Sequence, residues 1–358
     1  MKEPLGVQVA PWCPSRELVE LGARLAPVTD IVWVQDQMLA RNVYALLAAL
    51  ATRGCGVGTN VTYAVARNPI EMASAAATIT ELLDDGREFV LGMGTGGALV
   101  KSLFSTERSI TAIRESIRLM RALWSGLPVP LDDFPVLGAR LGYKPGATAT
   151  LTYPVSKPPP IVLAGVGPKI LGVAAELGDG LISPSNLPTL SIASFRTGRF
   201  GELSGLDAVR AARPATLPPL RMIYGINVSV SRDRDAARAH ARRQLALVLG
   251  NPKLWPDLEA VGLDVGSAGA VKAAFDEGLG IDGASARMSD ELSDALIIAG
   301  TPEECIDRIA DLRDRAVTEG YDEFYVGAPL GPDPVEAAEL LCRDVIPAVW
   351  PERAPVVA

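Results

Sequence analysis

Four segments of the sequence hold the residues best suited to chemistry, because in each of them polar or small residues directly follow a short hydrophobic run. In the first segment, Asp36 and Gln37 follow the run IVWV. Side chains of these types at the carboxyl end of a strand can point into a binding site and hydrogen-bond a ligand. The competing interpretation is that Asp36 caps the following turn, and this segment taken alone favours that interpretation.

The second segment is residues 58–64, where a hydrophobic strand ends in the polar sequence GTNVTYA and continues to RNP at residues 67–69. One interpretation is a loop that is merely rich in turn-forming residues. The functional interpretation is a bulge beside a binding site, because irregular backbone clusters where ligands press against it. Thr59, Asn60 and Val61 are then the residues nearest a ligand.

The other two segments are rich in glycine. Residues 92–97 (GMGTGG) can let the backbone approach a flat ring or a phosphate, although such loops often solve only packing problems. Residues 164–169 (AGVGPK) join a strand to a helix. Free amide groups at that helix N-terminus, with Lys169 beside them, predict an anion site that is moderately specific for phosphate.

The elements that must position these segments alternate between short β-branched runs and alanine-rich helical stretches, which is typical of a parallel α/β fold. Eight strand–helix pairs in order favour a closed (β/α)8 TIM barrel over an open sheet, and no GxGxxG follows the first strand. We expect one domain over residues 1–358, with insertions in the strand-end loops at about 125–159 and 251–298. The first insertion has no helical period and predicts some hairpin character, and the second is predicted to be partly helical.

The composition excludes several classes of function. The net charge is −8, which argues against nucleic-acid binding, and the arginine clusters at 238–243 and 308–315 are predicted to be solvated helix faces. The four cysteines are scattered, so neither a disulfide framework nor a metal site is expected. No uninterrupted apolar run reaches the length of a signal peptide or a membrane span, so we expect a cytoplasmic protein that does not enter the membrane.

Taken together, three passages resemble the luciferase-like oxidoreductases, and within them the branch that depends on coenzyme F420. The passages are GTNV at residues 58–61 with RNP at 67–69, REFVLGMGTG at 87–96, and AGVGPK at 164–169 continuing to AAELGDG at 174–180. The resemblance extends from the first strand to the final helix and is weakest in the two insertions. As a set these motifs are specific.

The resemblance implies a (β/α)8 barrel that holds the deazaflavin ring of F420 at its strand ends, with a non-proline cis peptide between Asn60 and Val61 beneath the ring. The cofactor phosphate would meet the amides of Gly165, Val166 and Gly167, and a hydride would pass between C5 of the ring and a small-molecule substrate. The family also implies a homodimer. The full set of expected cofactor-binding residues is Asp36, Thr59, Asn60, Val61, Gly94, Thr95, Gly165, Val166, Gly167 and Lys169.

Three proton-handling residues of the family are absent from this chain. Gln37 stands where many relatives have His, Gly97 stands where the sugar-phosphate dehydrogenases have Glu, and Gln8 stands where the methylene-tetrahydromethanopterin reductases have Glu. Asp36 and Tyr63 remain as candidate acids, so the candidate catalytic residues are Asp36, Gln37 and Tyr63. The single histidine, His240, lies in a charged helical stretch and is expected to be a surface or partly packed residue. A reaction that needs little acid catalysis, such as hydride addition to a cationic iminium, would fit these absences.

Three functions therefore compete. The leading hypothesis is an F420-dependent oxidoreductase acting on an organic small molecule. The second is an FMN-dependent luciferase-like monooxygenase that shares the barrel but uses oxygen. The third is a non-catalytic deazaflavin-binding protein, which the missing acids favour.

Overall fold

Eight parallel strands form a closed barrel in a computed structural model of the chain. The model describes residues 3–96, 98–165, 167–183, 206–250, 252, 255–260 and 262–354. Each strand pairs in parallel with its neighbours, and the ring closes because β8 pairs with β1 and β7 pairs with both β6 and β8. The predicted fold class is confirmed. In chain order the strands are β1 Leu5–Val9, β2 Ile31–Val34, β3 Val57–Tyr63, β4 Phe89–Gly94, β5 Ile161–Ala164, β6 Gly180–Ile182, β7 Arg221–Val230 and β8 Glu323–Leu330.

Side chains alternate along each strand between the helix layer and the barrel interior. The outward residues join the helices in one large hydrophobic core. The inward residues form a separate apolar layer at mid-height, made of Ile31, Trp33, Val90, Val162, Ile182, Ile223 and Tyr325. Gly6 and Gly58 make room for the Trp33 indole, because a Cβ on either glycine would stand within 2.5 Å of it.

Eight helices account for most of the outer layer, and several begin where the sequence offers a cap. Asn42, Asn68 and Asp233 each accept backbone N–H groups of the first turn, and Thr301 with Glu304 forms a capping box before Pro302. These helices are α1 Ser15–Leu25, α2 Val43–Ala51, α3 Pro69–Glu81, α4 Ser109–Trp124, α5 Pro168–Leu177, α6 Arg234–Leu249, α7 Pro302–Thr318 and α8 Pro334–Leu340. Beyond α8 the chain continues as a π-helical turn, Leu341–Val345, and the helix Ile346–Val349. Short helices also span Ala98–Leu103 and Leu206–Ala211.

The first insertion has the predicted hairpin character, since Val129–Pro130 pairs antiparallel with Thr148–Ala149. The expectation that it lacks a helix was wrong. The helix Pro135–Leu141 lies inside it, and the buried carboxylate of Glu115 on α4 accepts hydrogen bonds from the first amides of that helix, from Val136 and Leu137. A helix of seven residues is too short to show a period in the sequence, and a distant side chain supplies its cap.

The second insertion is helical as predicted and packs around a small apolar core of its own with α6. Its described helices are Trp255–Ala260, Val265–Asp276, Gly280–Ala286 and Asp290–Leu296, followed by a short strand Ile298–Gly300 that extends the edge of β7. The α6 arginines, predicted to form a solvated face, are half-buried or exposed, and they also form salt bridges to the insertion. Arg238, Arg242 and Arg243 pair with Asp294, Asp290 and Asp282 of the insertion.

Candidate active site

All four predicted segments lie at the carboxyl ends of adjacent strands, because β2, β3, β4 and β5 are consecutive neighbours in the barrel. Strand β4 lies between β3 and β5, and its last residue, Gly94, is in register with Tyr63 on one side and Ala164 on the other. Segments that are far apart in the sequence thus form one continuous edge of the barrel mouth. In TIM barrels this face carries the active site.

The end of β3 contains the predicted bulge. The pairing of β3 with β4 shifts register between Thr59 and Thr62, and the peptide bond between Asn60 and Val61 is cis, as the resemblance implied. The Val61 side chain packs against the backbone of Gly94, where a Cβ would lie 2.9 Å from Val61 Cγ2. Gly94 therefore supports the bulge because it lacks a side chain.

Thr59 and Asn60 point in opposite directions, as neighbours on a strand do. The buried Thr59 hydroxyl donates to the Gly92 carbonyl at 2.8 Å, and the predicted contact of Thr59 with a cofactor stays a prediction. The Asn60 carbonyl accepts from Gln8 Nε2 at 3.3 Å, whereas Asn60 Nδ2 is buried and has no hydrogen-bond partner among the described residues. An unused buried donor at the mouth is expected where a ligand completes the hydrogen bonding.

Asp36, which was predicted both to bind the cofactor and to act as an acid, is held in a buried network. Arg67 donates to both carboxylate oxygens, at 3.0 and 2.6 Å, and the Thr62 hydroxyl donates at 2.8 Å. The Arg67 guanidinium also lies over the Tyr44 ring, 5.9 Å from its centroid. This hydrogen bonding with Asp36 raises the pKa of Arg67. The arrangement suits a residue that fixes the loop after β3 better than one that exchanges a proton.

The other two candidate catalytic residues lie beside this network. Gln37 is half-buried, and its Nε2 donates to Gln35 Oε1 at 3.2 Å. Tyr63 is half-buried at the end of β3, where burial, and secondarily the charge of Asp36, raises the pKa of its phenol to about 12. Tyr63 can therefore donate a hydrogen bond at neutral pH but does not act as a base there. The roles of both residues stay predictions.

The predicted phosphate site lies at the N-terminus of α5. Gly167 precedes Pro168, the first residue of the helix, and a Cβ at Gly167 would meet nothing within 4 Å, so this side of the loop is open. Gly165 packs against Ile170, and Lys169 is exposed with no salt bridge within the described part of the chain. Val166 lies outside the described residues. Open amides, a helix dipole and a free cation are the features that bind phosphate.

The loop after β4 starts with Thr95, which is half-buried at the mouth. Gly96 follows with a φ of 95°, and a Cβ there would stand 2.6 Å from Val100 Cγ1. Because glycine alone adopts this conformation easily, the sequence GTG at residues 94–96 serves a tight turn into the helix Ala98–Leu103. The predicted contact of Thr95 with a cofactor stays a prediction.

Two carboxamides at the mouth have contacts that the sequence did not predict: Gln8 was noted only as the replacement of a family Glu, and Asn227 was not singled out. Gln8 spans from β1 to β3: its Nε2 bonds Asn60, and its Oε1 accepts from the Ala328 amide at 3.4 Å. Asn227 lies on β7, is only 5% exposed, and keeps its Oδ1 without a partner in the described structure. The available signal was a carboxamide within a strand that is otherwise largely apolar.

His240 lies on α6, away from the strand ends, as expected. It is half-buried, and burial, together with the charge of Arg243, lowers its pKa. No group of three or more His, Cys, Asp or Glu side chains in the described residues is arranged to hold a metal ion. None of the helices described is long and apolar enough to cross a membrane.

Comparison with known proteins matches residues 16–319 to the family described as luciferase-like monooxygenase. A curated relative, the 5,10-methylenetetrahydromethanopterin reductase of Archaeoglobus fulgidus, is 32% identical over 89% of this chain and 91% of its own.

Among solved structures, the coenzyme F420-dependent tetrahydromethanopterin reductase of Methanopyrus kandleri superposes with a TM-score of 0.74, at 21% identity over 97% of this chain and 99% of that one. An F420-dependent secondary alcohol dehydrogenase in complex with an F420–acetone adduct gives a TM-score of 0.67, at 22% identity over 98% and 99%. These two likenesses bear on the fold. From the extent of the sequence match, the chain belongs to the luciferase-like monooxygenase family.

Proposed function

We propose that this protein is an F420-dependent oxidoreductase that transfers a hydride between C5 of the deazaflavin and an organic small molecule. The observation that carries the proposal is that the ends of β3, β4 and β5 lie side by side, with Gly94 in register with Tyr63 and with Ala164. The sequence predicts a cofactor contact at the end of each of these three strands. The F420-dependent enzymes among its structural neighbours support the same cofactor.

The residues at the mouth fit such a cofactor. Asn60 Nδ2 is a buried donor without a partner in the described structure, and Gly94 leaves the Val61 bulge uncovered by side chains. Gly167 and Lys169 offer an open, positively polarised site for a phosphate. When bound, F420 supplies hydride chemistry at C5; the protein binds the ring, excludes water and orients the second reactant.

The side chains at the mouth favour a substrate that needs no proton from the protein. Asp36 is engaged by Arg67, Gln37 does not titrate, and Tyr63 keeps its proton until about pH 12. An iminium or a polarised alkene can accept a hydride without general acid catalysis. The Archaeoglobus relative acts, by its name, on a methylene-bearing reduced pterin, so we propose a substrate of this class as the first to test.

The test is a fluorescence titration of the purified protein with oxidised F420, with FMN in a parallel titration. We expect F420 to bind and FMN to bind far more weakly, and we expect reduced F420 to be oxidised when a methylene-bearing reduced pterin is added. A folded protein that binds no F420 would refute the proposal. Binding without turnover across a broad substrate panel would favour the deazaflavin-binding alternative.

The family description itself favours one competing function, an FMN-dependent monooxygenase. Purification of a yellow protein that holds FMN and consumes oxygen with a reductase would select it. A single domain, a homodimer and a cytoplasmic location stay predictions. Light scattering of the purified protein checks the homodimer.

A further inference from the structure

The wall of the barrel opposite the predicted cofactor platform carries an unused carboxamide. Asn227 is 5% exposed, yet its Oδ1 has no hydrogen-bond partner among the described residues. A buried polar atom without a partner costs free energy, and at the edge of a binding site a ligand that supplies the missing hydrogen bond accounts for it. Asn227 therefore calls for an explanation that the fold does not supply.

The position of Asn227 in the ring of strands places it at the mouth. Asn227 is in register with Gly327 of β8, two residues beyond Tyr325 of the apolar layer. Gln8 follows Val7, the last residue of β1 in register with β8, and accepts a hydrogen bond from the Ala328 amide. A Cβ on Gly327 would stand 2.2 Å from Asn227 Oδ1, so the carboxamide lies across the space that a side chain at Gly327 would fill. The absence of that side chain leaves the carboxamide free inside the barrel.

Asn227 also faces the end of β3. In a ring of eight strands, β7 is four strands from β3 in either direction, so Asn60 and Asn227 approach the mouth from opposite walls. Gln8 lies on β1, midway between these two strands, and its carboxamide already hydrogen-bonds two backbone groups. The unused carboxamide groups are therefore a donor, Asn60 Nδ2, on the platform side and an acceptor, Asn227 Oδ1, on the opposite side.

We propose that Asn227 is a ligand-binding residue whose Oδ1 accepts a hydrogen bond from a ring or amide N–H of the molecule bound at the mouth. A neutral lactam or amide edge is the matching chemistry, because a carboxamide meets such an edge without leaving a charge buried. The deazaflavin pyrimidinedione and an amide-bearing heterocyclic substrate both offer this edge. The identity of the ligand rests on the proposed function, whereas the role of Asn227 in contacting it does not.

The test compares Asn227→Leu with Ser229→Ala, two residues along the same strand. Leucine has nearly the shape of asparagine and removes the unused polar atoms. The Ser229 hydroxyl is buried and satisfied, since it donates to the Ala237 carbonyl at 2.8 Å. For each protein we would measure the melting temperature without ligand, the Kd for oxidised F420 by fluorescence, and the KM and kcat for the reduced pterin.

We expect Asn227→Leu to leave the melting temperature of the free protein unchanged or raised, and to weaken ligand binding by about tenfold or more. A raised Kd for F420 identifies the ring as the partner, and a raised KM with unchanged Kd identifies the substrate. Ser229→Ala is expected to lower the melting temperature and leave both constants within about twofold of wild type. Gly327→Ala, whose methyl group displaces the carboxamide, should reproduce the binding loss.

Two results would overturn the inference. One is a drop in the melting temperature of Asn227→Leu like that of Ser229→Ala, which would make Asn227 a structural residue. The other is an unchanged Kd together with an unchanged KM. If the wild-type protein binds no F420, the proposed function fails, and the melting temperature of the free Asn227→Leu protein then decides the role of Asn227 alone.

Discussion

The two ends of the barrel differ in the polar groups that their strands carry. At the amino end of the strands, Arg221 on β7 pairs with Glu323 on β8 at 2.5 Å and with Glu88, just before β4, at 2.8 Å. Next to them Arg121 on α4 donates to both oxygens of Asp179, which in turn accepts the Ile161 amide. These charged groups are paired with one another.

The carboxyl end holds neutral carboxamides and glycines instead. Gln8, Asn60 and Asn227 face the mouth, and two of them keep a buried atom without a partner in the described residues. The charged pair nearby, Asp36 with Arg67, lies in the loops beyond the strands. The charged pairs named at the amino end need no ligand, whereas two carboxamides at the carboxyl end each have a buried atom that a ligand can use. Stability is therefore expected to depend on the first end and binding on the second.

Replacing Arg221 by Met tests the first half of this comparison and has the largest expected effect. Glu323 and Glu88 would lose their cation while staying partly buried, so the free energy of unfolding should fall by about 3–5 kcal/mol. Chemical denaturation measures the fall, and F420 binding by the folded fraction should stay within about threefold. The double variant Arg221→Met with Glu323→Leu should regain part of the loss. A single variant as stable as wild type would contradict the assignment of stability to this end.

Replacing Gly94 by Ala tests the second half. The new methyl group would lie 2.9 Å from Val61 Cγ2 and push the bulge of β3 out of place. We expect the Kd for F420 to rise about tenfold or more, equivalent to about 1.4 kcal/mol, with a smaller change in melting temperature. Gly138→Ala is the matched control, because the nearest atoms to its Cβ are 3.9 Å away in the helix Pro135–Leu141. If Gly138→Ala weakened F420 binding as much as Gly94→Ala, the assignment of binding to the carboxyl end of the strands would be wrong.

The pH dependence of turnover tests the absence of an acid among the described groups at the mouth. Because burial raises the pKa of Tyr63 to about 12, its neutral form is stabilised, and that stabilisation is complete below the ordinary tyrosine value of about 10 and is lost as the pH rises toward 12. Tyr63 should contribute no titration to kcat between about pH 6 and 9. Tyr63→Phe should lower kcat by less than about tenfold and keep the same profile. A limb of the profile that disappears in this variant would show that Tyr63 exchanges a proton.

Replacing Lys169 by Gln has the smallest expected effect, because an exposed charge contributes little. We expect the Kd for F420 to rise about threefold at low salt and the difference to shrink as salt is added. A deazaflavin riboside without phosphate should bind both proteins equally, and Lys144→Gln, an exposed lysine in the first insertion, serves as control. A loss of affinity for the phosphate-free riboside as well would place Lys169 at the ring and not at the phosphate.

Much of the fold followed from local patterns. The run RMIYGINVSV alone predicts a strand over residues 221–230, which is where β7 lies, and Thr301 before Pro302 predicts the start of α7. Both succeed because β-branched runs and helix caps act over a few residues. The helix Pro135–Leu141 and the pairing of the α6 arginines were not predicted. Their causes are contacts with Glu115 and with the insertion, which lie outside any local window.

The same distinction between local patterns and contacts of distant residues applies to the candidate site. The sequence alone determined which strands carry polar ends, that Asn60–Val61 is the unusual peptide, and that the N-terminus of α5 can hold an anion, because each of these depends on a few consecutive residues. Only the tertiary structure decided that Arg67 occupies the Asp36 carboxylate and that Asn227 faces Asn60 unpaired. Closure of the barrel brings these groups together: it pairs Arg221 with Glu323 at the amino end, and it leaves Asn60 Nδ2 and Asn227 Oδ1 at the carboxyl end for a ligand.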